Sequence, residues 1–242
     1  MPEVPVALVG LFLFITIGLW YAFRIALMRG IYMDGTVKPS KGLLMSFVIG
    51  LWLAGVAMMA NQGALQDFSG TPPLILVILL MSLIMTFTIA FSRIGLLIIE
   101  GAGIVWLVAF QGFRVLVEVF LHQMYSEGIV PEQMTYSGLN FDILAGLSAM
   151  MMGYQLSKKK VGPRAVFIWN VLGLALLINI VVIAILSMPL PIRMFDDEPA
   201  NTFVAYVPYV WLPTFHVQAA LFGHLLVFRA LKRGMVKPAE DA

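Results

Sequence analysis

The sequence predicts an all-α integral membrane protein built as a single bundle of seven transmembrane helices. Of its 242 residues, 61% are hydrophobic and only 12% are charged, whereas soluble domains carry about 25% charged residues. The mean hydropathy is +0.95, and the apolar runs reach the roughly 20 residues that a helix needs to cross a bilayer. The chain length suits about seven such runs with short connections and no soluble domain.

Charged residues, glycines and prolines delimit the first three spans. We predict span 1 over residues 4–27. Because the N-terminal segment lacks a basic region and an A-x-A motif, we expect this span to be retained and not cleaved as a signal. Span 2 is predicted over residues 42–61, and span 3 over residues 72–91, where Pro72 and Pro73 open the helix.

The apolar run from Leu74 to Leu121 is too long for one span, and Ser92-Arg93 divides it. We predict span 4 as one helix over residues 96–125. At ~1.5 Å per residue it would be ~45 Å long, so it must tilt or project beyond the ~30 Å hydrocarbon core. The remaining spans are predicted over residues 138–157, 165–187 and 203–230, the last of them bent near its start by Pro208 and Pro213.

The basic residues indicate the orientation of this bundle. Thirteen of the 15 fall on one side of it, with Arg193 on the opposite side and Arg114 inside span 4. The thirteen are Arg24, Arg29, Lys38, Lys41, Arg93, Lys158, Lys159, Lys160, Arg164, Arg229, Lys232, Arg233 and Lys237. Because basic residues accumulate on the cytoplasmic side, we predict that the N-terminus is outside and the C-terminus is cytoplasmic.

Span 4 carries a row of polar residues within its apolar sequence. They are Glu100, Gln111, Arg114, Glu118, His122 and Tyr125, separated by 11, 3, 4, 4 and 3 residues. On one continuous helix these spacings place all six on one face, and Arg114 and Glu118 can form an i,i+4 pair. A charge in hydrocarbon costs at least ~2.5 kcal/mol, so we expect this face to contact protein or water.

Polar residues of two other spans are expected at the same site. Asn140 and Asp142 begin span 5 on the outer side, where they can cap that helix and also line a pocket. We therefore predict a polar pocket in the outer half of the bundle. Its predicted ligand-binding residues are Arg114, Glu118, His122, Asp142 and Asn140, with Gln111 and His216 lining the base.

This pocket supports several hypotheses about function. In the first, the protein binds or transports a small solute, a lipid headgroup or a proton, with Arg114 holding an anion and Glu118 and His122 exchanging protons. In the second, it is a membrane-embedded enzyme acting on a lipid or isoprenoid, with Glu118 or Asp142 as acid or base. Such an enzyme needs a side opening to the bilayer. The third is a haem held by two of the three histidines, and the fourth is a purely structural bundle that acts through partners.

Several classes are excluded or not indicated. No lysine lies in a span core, which excludes a retinal Schiff base, and the absence of cysteine excludes disulfides and thiolate metal sites. His216 and His224 are eight residues apart, so they cannot chelate a metal as an i,i+4 pair does. We expect the bilayer, and a small molecule or lipid, as partners, with no metal and no nucleic acid. No residue is assigned a catalytic role, and no cofactor is assigned.

Three stretches carry a resemblance to a known group of proteins. They are Gln111-Gly112-Phe113-Arg114 followed by Glu118, then Gly138-Leu139-Asn140-Phe141-Asp142-Ile143, then Glu198-Pro199-Ala200-Asn201-Thr202-Phe203 followed by Trp211-Leu212-Pro213. In order and spacing they resemble a group of small, uncharacterised bacterial multi-span membrane proteins, over roughly residues 90 to 230. The resemblance implies a bacterial inner-membrane protein with a polar site in its outer half, and it implies no activity.

Overall fold

The computed structural model describes residues 3–239, which form helices joined by short connections and contain no strand within that range. The helices are α1 (Val6–Asp34), α2 (Pro39–Asn61), α3 (Leu74–Phe91), α4 (Arg93–Ala102), α5 (Ile104–Ala109), α6 (Phe113–Ser126), α7 (Asp142–Ser157), α8 (Pro163–Leu186) and α9 (Val217–Lys232). Short 3-10 turns occupy Phe110–Gly112, Glu132–Met134 and Phe203–Ala205, and the π-helical turn Leu212–His216 runs directly into α9.

Six segments among the described residues are long and apolar enough to cross a membrane. They are Val6–Asp34, Pro39–Asn61, Leu74–Phe91, Ile104–Ser126, Pro163–Leu186 and Leu212–Lys232. The all-α, multi-pass membrane architecture predicted from the sequence is therefore confirmed. Helix α7 lies within the predicted span 138–157 but has only 16 residues, which rise ~24 Å, less than the ~30 Å hydrocarbon core.

The predicted single helix over residues 96–125 is interrupted twice. Helix α4 ends at Ala102 and α5 begins at Ile104, because Gly103 has φ 73° and ψ 157°, a conformation open essentially to glycine alone. The 3-10 turn Phe110–Gly112 follows. The predicted continuous polar face is therefore wrong for Glu100, which lies on α4 with its carboxylate 3.7 Å from the Arg233 guanidinium.

Helix α4 packs directly on the second half of α1. A Cβ added to Gly30 would overlap the backbone carbonyl of Leu97, and one added to Gly101 would overlap the carbonyl of Ala26. Glycine at both positions lets the two backbones touch, as small residues do where helices cross in membranes. Helix α4 is thereby held against α1, while the chain beyond Gly103 continues into the bundle as α5 and α6.

The predicted span 203–230 also differs from the structure at its start. Residues Phe203–Ala205 form a 3-10 turn, and continuous helix begins with the π-helical turn Leu212–His216, which contains Pro213. Proline cannot donate a backbone hydrogen bond to the preceding turn, and it widens or breaks a helix at that point. The predicted irregularity at Pro213 is therefore present as a π-helical turn, and residues 206–210, which include Pro208, form turns before the helix begins.

Candidate functional site

The Arg114 side chain joins four helices at the centre of the bundle. It lies in the first turn of α6 and is only 2% exposed. Its Nε donates to Oδ2 of Asp142 at 2.6 Å, and its Nη2 donates to Oδ1 of the same carboxylate. Nη2 also donates to the carbonyl of Gly173 on α8 at 3.1 Å, and Nη1 lies 3.0 Å from Nε2 of His224 on α9. The guanidinium therefore binds Asp142 bidentately, and each of its three nitrogens has a partner.

Asn140 connects this ion pair to a second buried acid. Its Oδ1 accepts a hydrogen bond from the backbone N–H of Asp142 at 3.0 Å, which satisfies a free donor at the start of α7. Its Nδ2 donates to Oε2 of Glu118 at 2.7 Å and to the carbonyl of Met134 at 3.0 Å. Because all three of its polar bonds are made, Asn140 is fixed between the two carboxyl groups.

The predicted pairing of Arg114 with Glu118 within one helix does not form. The guanidinium instead faces Asp142, which approaches from α7 and offers both carboxylate oxygens to the planar fork of nitrogens. Among the described residues, no cationic nitrogen lies within 4.0 Å of the Glu118 carboxyl. The hydrogen bond partner of Glu118 is the neutral amide of Asn140.

The charges of this site do not balance when every group is ionised. Glu118 is 1% exposed and Asp142 is 4% exposed, so two acids share one guanidinium away from water. With both acids ionised, the site would carry a net charge of −1 within the bundle. Burying an uncompensated charge costs several kcal/mol. A proton on one of the acids, or a bound cation, removes that charge.

His224 completes the site and was not among the predicted site residues. An arginine Nη can only donate, so Nε2 of His224 accepts from Arg114 and the ring hydrogen must lie on Nδ1. Nδ1 then donates to Oδ1 of Asn170 at 2.8 Å, and Asn170 Nδ2 donates back to the His224 carbonyl at 3.1 Å. The imidazole is therefore neutral and fixed in one tautomer. The sequence shows Asn170 and His224 as isolated polar residues of different spans, and their spacing does not relate them to Arg114.

The structure places two of the predicted histidines elsewhere. His122 is half-buried, with its ring stacked on Tyr136 at a centroid distance of 4.3 Å and Nδ1 3.3 Å from the Ser137 hydroxyl. His216 lies in the π-helical turn, where its ring stacks on Phe12 and Nε2 is 2.7 Å from the Thr16 hydroxyl. Neither histidine is hydrogen-bonded to Arg114 or Glu118, so both lie outside the hydrogen-bond network of Arg114.

Gln111 lies beside the Arg114 site without joining it. Its Nε2 donates to the carbonyl of Ala220 on α9 at 2.9 Å, and its buried Oε1 has no hydrogen bond partner among the described residues. Ala220 is one helical turn before His224 on the same helix. Gln111 therefore ties the junction of α5 and α6 to α9 next to the site.

The histidines have separate surroundings, and residues 3–239 contain no group of three or more histidine or acidic side chains able to hold a metal ion. The Arg114 network, defined here as Arg114, Asp142, Asn140, Glu118 and His224 with Asn170, consists of hydrogen bonds between protein groups, and those from Arg114 to Asp142 are charge-assisted. With two acids beside one guanidinium, the network can bind a proton or a cation.

A comparison with protein families matches two thirds of the chain. Residues 71–232 match a family model described as a domain of unknown function (DUF8737). The matched region runs from the start of α3 to the end of α9 and contains the whole Arg114 network. No curated protein matches the chain, and no solved structure does either.

Proposed function

The chain belongs to the DUF8737 family, and from the geometry of its buried site we propose that it is a membrane protein that takes up and releases a proton at Glu118. The observation that carries this proposal is the presence of two almost fully buried acids beside one guanidinium. Without a bound cation, a neutral site then requires one proton on these acids. Glu118 is the acid that holds it, because Asp142 already has the bidentate cationic partner.

The same geometry favours a proton over a small anionic solute or a lipid headgroup as the ligand. The hydrogen-bonding edge of Arg114 is occupied by Asp142, Gly173 and His224. An anion would have to displace Asp142 into an apolar environment, which is costly. Proton exchange needs no such displacement, since Glu118 carries only one hydrogen bond from Asn140.

The charged groups around Glu118 define what its ionisation does. Arg114 stands one turn away on α6, and Asp142 faces it from α7 through Asn140. Loss of the proton places a second negative charge next to Arg114, which then has two anionic neighbours. We propose that the guanidinium shifts toward Glu118 and loosens its contact with Asp142, so that proton release changes the packing of α6 against α7.

The placement of this site in the membrane is part of the proposal. We place seven spans in a bacterial inner membrane, with the N-terminus outside, the C-terminus cytoplasmic and the Arg114 network in the outer half. The separation of thirteen of the 15 basic residues to one side supports the orientation. For α7 as a span, the support is its outward row of exposed apolar side chains, which includes Leu144, Leu147, Met150 and Met151.

Infrared spectroscopy of the purified protein in nanodiscs tests the proposal. A protonated buried carboxyl has a C=O stretching band that carboxylates lack. We expect this band at neutral pH in the wild-type protein and in Glu127→Gln, a control that removes an exposed acid just after α6. The band should be absent in Glu118→Gln. A wild-type protein with no such band, or a band that survives in Glu118→Gln, would contradict proton binding at this residue.

A second candidate function is a membrane enzyme acting on a lipid, and one observation favours it. An apolar groove lies on the lateral surface of the bundle between α7 and α8, with Ala145, Trp169 and Gly173 in its wall. Gly173 is also the residue whose carbonyl binds Arg114. Such an enzyme needs a side opening to the bilayer, and the position of this groove next to the Arg114 network supports this candidate. Turnover of a supplied membrane lipid extract that is lost in Glu118→Gln would favour the enzyme over a proton-binding protein without turnover.

A further inference from the structure

A separate cavity lies on the other side of α9 from the Arg114 network. It occupies about 400 Å³ between α1, α2, α3, α4, α5 and α9, a volume in the range of ligand-binding cavities. Phe23, Trp52, Met85 and Phe222 are among the side chains that line it. Because dispersion contacts are lost wherever a cavity stays empty, an apolar space of this size is stabilised by an apolar occupant.

The cavity opens sideways, where an occupant can enter from the bilayer. Three of its lining residues, Tyr21, Ile25 and Trp106, are more than one-third exposed on the outer surface of the bundle. Two polar side chains of the wall, both on α3, have partners within the protein. The Thr86 hydroxyl lies 2.9 Å from both Gln218 Oε1 and the Ser82 carbonyl, and the Ser82 hydroxyl donates to the Ile78 carbonyl. Along most of its length the wall therefore offers contact to hydrocarbon, and the charged side chain in the lining is Arg29.

The cavity has the length of one leaflet. Along α1 its wall runs from Gly18 to Arg29, which at ~1.5 Å per residue is ~16 Å. Along the π-helical turn and α9 it runs from Thr214 to Leu226, or ~18 Å. Half of the ~30 Å hydrocarbon core is ~15 Å. A single extended hydrocarbon chain lying parallel to the helices matches this shape.

One end of the cavity is cationic and the other end is apolar. Arg29 lies at the first end, and its guanidinium makes no hydrogen bond or ion pair with any of residues 3–239. This is the end at which α1 approaches the Asp34–Lys41 loop, where basic residues gather. We propose that the cavity binds one acyl chain of an anionic phospholipid, with the lipid phosphate at Arg29. This site is independent of proton exchange at Glu118.

Two pairs of variants test the tail and the headgroup separately. A Cβ at Gly18 meets no atom within 4 Å, and neither does one at Gly10 on the same helix, but only Gly18 lines the cavity. Gly18→Phe should fill the cavity, and Gly10→Phe is its control. Arg29→Gln removes the cation at the mouth, and its control is Arg24→Gln, which removes the same charge from α1 outside the cavity lining.

Native mass spectrometry with added palmitoyl-oleoyl phosphatidylglycerol, or with the zwitterionic phosphatidylcholine of the same chains, provides the readout. We expect wild-type protein and both controls to bind phosphatidylglycerol about tenfold more tightly than Arg29→Gln, since loss of one charge-assisted contact changes affinity by about that factor. Gly18→Phe should also bind about tenfold more weakly, because its ring takes the place of the acyl chain. Phosphatidylcholine should bind the wild type as weakly as phosphatidylglycerol binds Arg29→Gln. Equal phosphatidylglycerol binding by all five proteins would overturn the proposal, and so would a preference for phosphatidylcholine.

A photoactivatable acyl chain gives a second readout that does not depend on the Gly18→Phe variant folding. Phosphatidylglycerol with a diazirine near the end of its acyl chain should label residues at the apolar end of the cavity, such as Trp52, in wild-type protein. Labelling spread evenly over the outer surface of the bundle would overturn the assignment of this cavity.

Discussion

Replacing Asp142 with asparagine should destabilise the protein far more than removing an ion pair from its surface. The change keeps the size of the side chain but leaves the Arg114 guanidinium, 2% exposed, without its carboxylate. Removing one partner from a buried ion pair typically costs about 3–5 kcal/mol, because the remaining charge stays buried. We therefore expect the free energy of unfolding of Asp142→Asn to fall by about that amount.

A matched control lies on the surface. Arg193 and Glu198 form an ion pair at 3.0 Å with side chains 20% and 72% exposed, and solvent screens a pair of this kind so that it contributes little to stability. Glu198→Gln should therefore leave the free energy of unfolding almost unchanged. The two variants make the same type of chemical change and differ in burial, so the comparison isolates the cost of the buried charge.

Sodium dodecyl sulfate titration of the protein in mixed micelles, followed by circular dichroism, measures these differences. The double variant Arg114→Met with Asp142→Leu removes both charges, and we expect it to recover most of the stability lost in Asp142→Asn. A loss below about 1 kcal/mol in Asp142→Asn would refute the argument from burial. A double variant no more stable than the single one would show that hydrogen bonding to Gly173 and His224, and not charge, dominates the energy of the site.

Two further predictions concern a backbone break and a loop. Gly103→Ala should lower the free energy of unfolding by about 1–3 kcal/mol, since φ 73° with ψ 157° is strained for any residue with a Cβ. Its control is Gly50→Ala, inside α2 with open space around it, which should not lower the free energy of unfolding measurably in the same titration. In the loop, hydrogen bonds from Arg193 and from the Ala200 N–H hold the pKa of Glu198 below its ordinary 4.5. A lowered folded pKa means that the loop contacts are complete above pH 4.5 and are lost as the pH falls through the lower folded value. The protection of the Ala200 N–H against exchange, measured relative to an unstructured amide at the same pH, should fall on that acid side, and it should fall at a higher pH in Arg193→Gln. Protection that is the same at every pH and in both proteins would refute the assignment.

The all-α membrane class follows from composition, and Ser92 marks the break between α3 and α4 because its hydroxyl accepts from the Ile94 N–H. The structure also brings together Arg114, Glu118, Asn140 and Asp142, which the sequence places at one level of two neighbouring spans. That part of the prediction needed only helical spacing and the order of the spans. It did not require knowing how the helices rotate against one another.

The features that the sequence did not predict depend on backbone angles and helix rotation. Glycine is common within transmembrane helices, so nothing in the sequence distinguishes Gly103, where the helix breaks, from Gly50, where it continues. His224 was missed because the π-helical turn Leu212–His216 changes the rotation of α9 relative to a regular helix. Counting along span 7 therefore does not give the direction in which His224 points.

The bond from Asp142 to Arg114 also has a consequence for how the protein is assembled. The two residues are 28 positions apart and belong to different helices, so α6 is synthesised before its acidic partner is available. In an isolated α6, Arg114 and Glu118 are i,i+4 neighbours that can neutralise each other. Arrival of α7 would then exchange partners: Asp142 takes the guanidinium, and Asn140 takes the released Glu118. In this order of events, the i,i+4 pair of Arg114 and Glu118 exists only in an intermediate of membrane insertion. The exchange of partners when α7 arrives then leaves Glu118 without a cationic partner in the finished bundle.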